Sequence, residues 1–122
     1  MFENASVLVV EDEPFIALDL ALAVEEAGGV VIGPAASVKD ALSLLETSPV
    51  SGAILDVNLV DRDISPVVYW LVQRGIPLVL QTGVGLPHEL AASVPDLVIY
   101  LKPTPATVLV DVLKTLMTDS ST

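Results

Sequence analysis

The chain has 122 residues, enough for one domain with a single sizeable core. Sixteen acidic residues against five basic ones give a net charge of −11, a field that repels a phosphate backbone and argues against direct nucleic-acid binding. Apolar residues make up 52% of the chain, but no apolar run reaches the roughly 18 residues of a membrane helix, and without cysteine there is no disulfide or thiolate metal site.

Short β-branched runs alternate with longer helical stretches. The first strand is expected at residues 7–10, followed at once by Glu11, Asp12 and Glu13. Pro14 opens the first helix, where its missing N–H is no loss, and Gly28-Gly29 ends it. A second strand is expected at 30–32. Ser37 then opens the second helix, with Asp40 three residues on as a capping-box partner and Pro49 just past its end. The third strand is expected at 53–55, and the third helix runs from Ser65 to Arg74, closing at Gly75. The fourth strand, at 78–80, precedes a short, weak helix after Pro87. The fifth strand, at 98–101, precedes a helix from Thr104-Pro105 to Met117, and the tail "TDSST" reads as frayed.

Side-chain periodicity assigns faces. In the first helix Asp19, Ala23 and Glu26 mark a polar stripe, while Phe15, Leu18 and Leu22 lie elsewhere and cannot all face a sheet. In the last helix Thr107, Asp111 and Lys114 share a stripe that leaves Val108, Val112 and Leu116 for the core or a dimer seam. Tyr69 and Trp70 read as core or groove residues, and His88 as a solvated loop residue.

Five strands apolar on both faces, with helices between them, describe a doubly wound α/β domain whose parallel sheet is covered on both sides. Ligands in such folds sit at the carboxyl ends of the strands. Those ends carry Glu11-Asp12 on the first strand, Asp56 on the third, Thr82-Gly83 on the fourth and Lys102-Pro103 on the fifth. Carboxylates brought this close repel one another unless a cation lies among them, and all-oxygen ligands favour Mg²⁺. Asp56 is then placed as a nucleophile toward phosphorus, Lys102 and the metal neutralise the transferring group, the Thr82 hydroxyl donates to an oxygen, and Gly83 leaves room.

The motifs "VEDEP", "LDVNL", "QTG" and "LKP" resemble, in order and spacing, those of the response-regulator receiver domains of two-component signalling, over essentially the whole chain. The resemblance implies a flavodoxin-like three-layer α/β/α fold with strand order 2-1-3-4-5. It implies that Asp56 accepts a phosphoryl group from a phosphohistidine. Asp12 and Asp56 would ligate Mg²⁺ by their carboxylates, Asn58 by its backbone carbonyl and Glu11 through water. Thr82 and Lys102 would bind the phosphoryl oxygens, and the Lys102–Pro103 peptide would be cis. "PLVLQTGVG" is similar to the subgroup whose fourth strand ends in Phe-Ala-Thr-Gly, with Leu80 and Gln81 in place of Phe and Ala. Most receivers carry an aromatic three residues before the lysine. Here Ile99 stands there and Tyr100 one residue later, on the opposite face of the strand, so Tyr100 reads as a packing residue.

The expected partners are a histidine kinase or histidine phosphotransferase and a downstream protein, with no nucleic acid or membrane partner and a monomeric or weakly dimeric state. Phe15 and Leu18 are the candidate docking patch. A single receiver domain with its core at about residues 5–118, no output domain and a cytoplasmic location complete the expectation; the first residues lack the basic stretch of a secretory signal. The protein is expected to be a phosphoacceptor that assists its own phosphorylation and hydrolysis, not an enzyme acting on a separate substrate. Two other readings compete. One is a receiver-like binding module that is never phosphorylated. The other is an Mg²⁺-dependent phosphatase with an aspartyl nucleophile, disfavoured because Asn58 stands where its second acid belongs.

Overall fold

Alternation of strand and helix persists along the whole computed structural model, which describes residues 2–120. In chain order the elements are β1 (Ser6–Val10), α1 (Pro14–Glu26), β2 (Val30–Ala35), α2 (Val38–Thr47), β3 (Gly52–Asp56), α3 (Ser65–Gln73), β4 (Leu78–Thr82), α4 (His88–Ser93), β5 (Val98–Leu101) and α5 (Ala106–Ser120). The five strands are all parallel, in the order β2-β1-β3-β4-β5. This is the flavodoxin-like arrangement. Helices α1 and α5 pack together on one face, and α2 and α3 on the other. Among the described residues no helix is long and apolar enough to cross a membrane.

Each face of the sheet has its own core. Val7, Val9, Ile54 and Val79 meet Leu20 and Val24 of α1 and Leu109 and Leu113 of α5. Leu8, Val10, Leu55 and Leu80 meet Ala41 and Leu45 of α2 and Val68 and Leu71 of α3. Odd and even residues of one strand thus enter different cores, as the pleat requires. Phe2, unassigned in the sequence, belongs to the first core, and its N–H donates to the Ala27 carbonyl at 2.8 Å. Gly52 is small because a Cβ there would lie 2.9 Å from Met117 Sδ and 3.2 Å from a Leu113 methyl.

Several expectations change. Only β1, β3 and β4 are buried nearly throughout; β2 and β5 are half open. On β5, Val98 and Tyr100 enter the α1/α5 core, whereas Ile99 and Leu101 are 40% and 68% exposed. The cause is α4, whose six residues bury one side chain, Leu90, too little to roof that edge. In α1, Ala23 is buried with Ala17, Leu20 and Val24, and does not join Asp19 and Glu26 on the solvated stripe. In α5 the core stripe is Leu109, Val110 and Leu113, while Val108 is exposed and Val112 and Leu116 are half-buried. Helix α5 also continues past Met117, since Thr118, Asp119 and Ser120 include no breaker. Ser121 and Thr122, the rest of the expected frayed tail, lie outside the described residues, as does Met1.

Strand β2 outlasts its expected end by three residues. Gly33 has φ +101°, and a Cβ there would lie 2.7 Å from the Ala35 nitrogen and 2.9 Å from the Val9 oxygen, so the position requires glycine. The irregularity it creates lets Ala35 pair with Val10, and the Glu11 N–H then donates to the Ala35 carbonyl at 2.9 Å. A kink in β2 thereby fixes the backbone of the first acidic residue.

Candidate functional site

Strand register brings the acidic residues together. Val10 pairs with Leu55, so Glu11 and Asp56 leave neighbouring strands side by side, and Asp56 pairs in turn with Gln81. Thr82 pairs with Leu101, the residue before Lys102, and the Lys102 N–H donates to the Thr82 carbonyl at 2.9 Å. Carboxylate oxygens of Glu11, Asp12 and Asp56 lie within 4.8 Å of one another. Glu11 and Asp56 are buried and Asp12 half-buried.

One cation sits among them. Lys102 Nζ lies 3.1 Å from Glu11 Oε1 and 3.1 Å from Asp56 Oδ2. The Glu11 side chain is fully buried and accepts two further hydrogen bonds, from the Glu13 N–H at 3.1 Å and from Gln81 Nε2 at 3.2 Å. Burial is the main influence on Glu11 and pushes its pKa up to about 7. The Glu13 and Lys102 hydrogen bonds oppose the rise, and the Asp56 charge adds to it. Burial works against the charge on Lys102 too, but its hydrogen bonds to Glu11 and Asp56 and their negative charge outweigh that and hold its pKa above the ordinary lysine value. An ammonium bridging two buried carboxylates balances part of the trio's negative charge, and a divalent ion would balance more of it.

The donor set suits Mg²⁺. Three convergent carboxylates supply hard oxygen atoms and no His or Cys intrudes. Asn58 follows Asp56 by two residues, just past the end of β3. Its segment is held by an antiparallel bridge to Asp63, made through the Val57 carbonyl, which accepts from the Ile64 N–H, and the Leu59 N–H, which donates to the Arg62 carbonyl. Asn58's own backbone groups are left out of that bridge.

The Thr82 hydroxyl bonds within its own turn and not to Asp56. It is buried, donates to the Gly85 carbonyl at 2.9 Å and accepts from the N–H groups of Val84 and Gly85 at 3.2 and 3.0 Å. It closes the β4–α4 turn, where Gly85 takes φ +101°. Donation to any other acceptor requires the hydroxyl proton to leave the Gly85 carbonyl. Gly83 is exposed, with nothing within 4 Å of where a Cβ would stand, so the room expected there exists. The Lys102–Pro103 peptide is cis, and so is Gly33–Pro34, which the sequence reading did not anticipate. Tyr100 packs half-buried against the α1/α5 core. Phe15 and Leu18 are 83% and 54% exposed on α1, which begins beside the acidic trio. Tyr69 and Trp70 lie half-buried against the α2/α3 core, with the Arg74 guanidinium 3.6 Å above the Trp70 ring, and His88 is exposed at the start of α4.

Two contributors escaped the sequence reading. Gln81 departs from the subgroup motif, and the signal for its role is that one amide in the apolar run "LVLQT" demands a buried partner. Asp61, in the loop after Asp56, accepts from the Val38 and Lys39 N–H groups, both at 3.0 Å. It caps α2 across the chain, beside Ser37, whose hydroxyl oxygen accepts from the Asp40 N–H at 3.1 Å. Hydrogen bonds from the Val38 and Lys39 backbone hold the Asp61 carboxyl below its ordinary pKa. The capping assigned to Ser37 is therefore shared with the loop that carries the site.

Among solved structures, the chain is similar to the response regulator PhyR from Brucella abortus, at 28% identity over 96% of this chain with a TM-score of 0.75. It spans about half the length of that PhyR chain, 49%. It is similar to SdrG from Sphingomonas melonis Fr1 at 30% identity, covering 97% of this chain and 99% of that one, with a TM-score of 0.77. The signal receiver domain of a signal transduction histidine kinase from Syntrophus aciditrophicus matches at 26% identity over 94% of this chain and 91% of its own, with a TM-score of 0.77. No family model and no curated protein sequence matches the chain.

Proposed function

Because the chain belongs to the response-regulator receiver domains, we propose that it accepts a phosphoryl group on Asp56 from a phosphohistidine and signals through protein contacts or passes the group onward. The observation that carries this reading is the Lys102 ammonium bridging Glu11 and Asp56, 3.1 Å from each, at the rim where the acidic trio converges. A carboxylate oxygen of Asp56 attacks phosphorus, the P–N bond to the donor imidazole breaks, and its electron pair returns to the ring nitrogen. Lys102 turns its N–H groups to the equatorial oxygens, and Thr82 releases the Gly85 carbonyl to donate to another. Asp12, Asp56, the Asn58 carbonyl and, through water, Glu11 would hold Mg²⁺. When bound, the ion supplies charge neutralisation on the transferring group.

The Thr82 hydroxyl's hydrogen bonds to Val84 and Gly85, which hold the β4–α4 turn, support movement of that loop as the signal when the hydroxyl is redirected. Ile99 and Tyr100 occupy faces that do not reproduce the usual aromatic arrangement. Exposed Phe15 and Leu18 support α1 as part of the donor-docking surface, for a histidine kinase or phosphotransferase. The sequence near Thr82 supports membership of the Phe-Ala-Thr-Gly-like subgroup. A cytoplasmic phosphorelay protein, monomeric or weakly dimeric, is the setting this reading implies. The test is phosphotransfer profiling against the host's histidine kinases and phosphotransferases. Transfer to the wild-type chain and none to Asp56→Asn is expected; transfer that survives Asp56→Asn, or a wild-type chain that accepts the group from none of the donors, overturns the proposal.

A further inference from the structure

We infer that Gln81 is a positioning residue of the site: it holds the Glu11 carboxylate in place while Lys102 moves from Glu11 to the phosphoryl group. The inference rests on the function proposed above. Gln81 is 2% exposed, on the last turn of pleat before Thr82, where its strand neighbours at 78–80 are apolar and buried. A buried amide at such a position is unfavourable unless it is hydrogen-bonded. Its Nε2 donates to Glu11 Oε1 at 3.2 Å, across a separation of 70 residues.

The Glu11 carboxylate has three donors. The Glu13 N–H serves Oε2 at 3.1 Å, Gln81 serves Oε1, and Lys102 approaches both, at 3.1 Å to Oε1 and 3.4 Å to Oε2. The first is backbone, the second is locked in a strand, and Lys102 alone is a flexible chain with a partly exposed head. It also bridges to Asp56, so a phosphoryl group arriving there, with more charge and three strong acceptor oxygens, draws it away. Without Gln81, Oε1 would then be left buried with no donor, and Glu11 would compete with the phosphoryl group for Lys102. With Gln81, each Glu11 oxygen keeps one fixed donor after Lys102 departs. The carboxylate also stays oriented toward Asp12 and Asp56. Fixed outer partners of this kind govern the strength of metal sites.

The test uses the full chain and needs no kinase. Gln81→Met keeps the length and apolar bulk of the side chain without a donor, and Gln81→Ala removes both. Binding of Mg²⁺ alone, and of beryllofluoride in saturating Mg²⁺, is measured by titration calorimetry, with thermal midpoints recorded in EDTA. Both variants are expected to bind Mg²⁺ more weakly, on the order of tenfold. They should lose more still for beryllofluoride, because only that complex draws Lys102 off Glu11. Unchanged binding in Gln81→Met, or equal losses in both titrations that track a lowered midpoint, overturns the inference and leaves the proposed function standing. A wild-type chain that binds neither ligand overturns the proposed function, and this inference with it.

Discussion

Replacing Glu11 with glutamine keeps the side chain's shape and removes a carboxylate that burial disfavours. The Glu11 pKa rises from 4.5 to about 7 in the folded chain. Between those values the folded state holds a proton that the unfolded chain has released. This contribution to stability is therefore complete below pH 4.5, declines as pH rises toward 7, and is flat above. At 1.36 kcal/mol per pKa unit the decline is at most about 3 kcal/mol. Solvent at the mouth of the site and the partly exposed Lys102 screen some of it, leaving on the order of 1–2 kcal/mol. Glu11→Gln should remove this slope; its amide nitrogen cannot accept from the Glu13 N–H, Gln81 or Lys102, so its stability is lowered by an offset that does not vary over this pH range. Urea denaturation in EDTA at pH 5 and pH 8, followed by far-ultraviolet circular dichroism, measures the slope. The carboxyls of Asp61 and Asp63 are shifted downward and titrate below this interval, so they do not mask the effect. Wild-type stability that is level from pH 5 to 8, or a Glu11→Gln chain that keeps the wild-type slope, would refute the reasoning.

Other expectations test separate parts of the structure. Leu109→Ala should cost about 2–5 kcal/mol and Val108→Ala well under 1 kcal/mol in denaturant unfolding, because Leu109 is buried and Val108 lies on the solvent side of α5. Asp61→Ala should lower the thermal midpoint and speed amide exchange at Val38 and Lys39; since its folded pKa is depressed, the difference from wild type should shrink as pH falls below about 4, the ordinary aspartate range. Phe15→Ala with Leu18→Ala should slow phosphotransfer from the donor without changing reaction with a small phosphodonor, as judged by initial labelling rates. Val84, 86% exposed and apolar at the mouth of the site, offers no group to orient an attacking water, so the isolated phosphoprotein should lose its label slowly; rapid decay would contradict this.

The sheet and the placement of its functional residues were legible because parallel strands put all their carboxyl ends on one rim. Once the alternation is recognised, Glu11, Asp12, Asp56, Thr82 and Lys102 must meet there. What the sequence did not disclose depended on tertiary partners. Two stripes of α5 are apolar, and only packing on the sheet and α1 decides that Leu109 is buried and Val108 exposed. Ile99 and Leu101 have the apolar character of covered strand residues, and only the shortness of α4 leaves them exposed. Thr82 has one hydroxyl proton, and only the folded turn shows that the Gly85 carbonyl takes it. The contact of Asp61 with the start of α2 spans 22 and 23 residues, beyond any local capping pattern.

The most direct test of the central claim is to expose the chain to a small phosphodonor with and without Mg²⁺ and map the product by mass spectrometry. A Mg²⁺-dependent acyl phosphate on Asp56, absent from Asp56→Asn, is the expected result. A chain that stays unmodified, or that carries the label on another residue, would contradict the account.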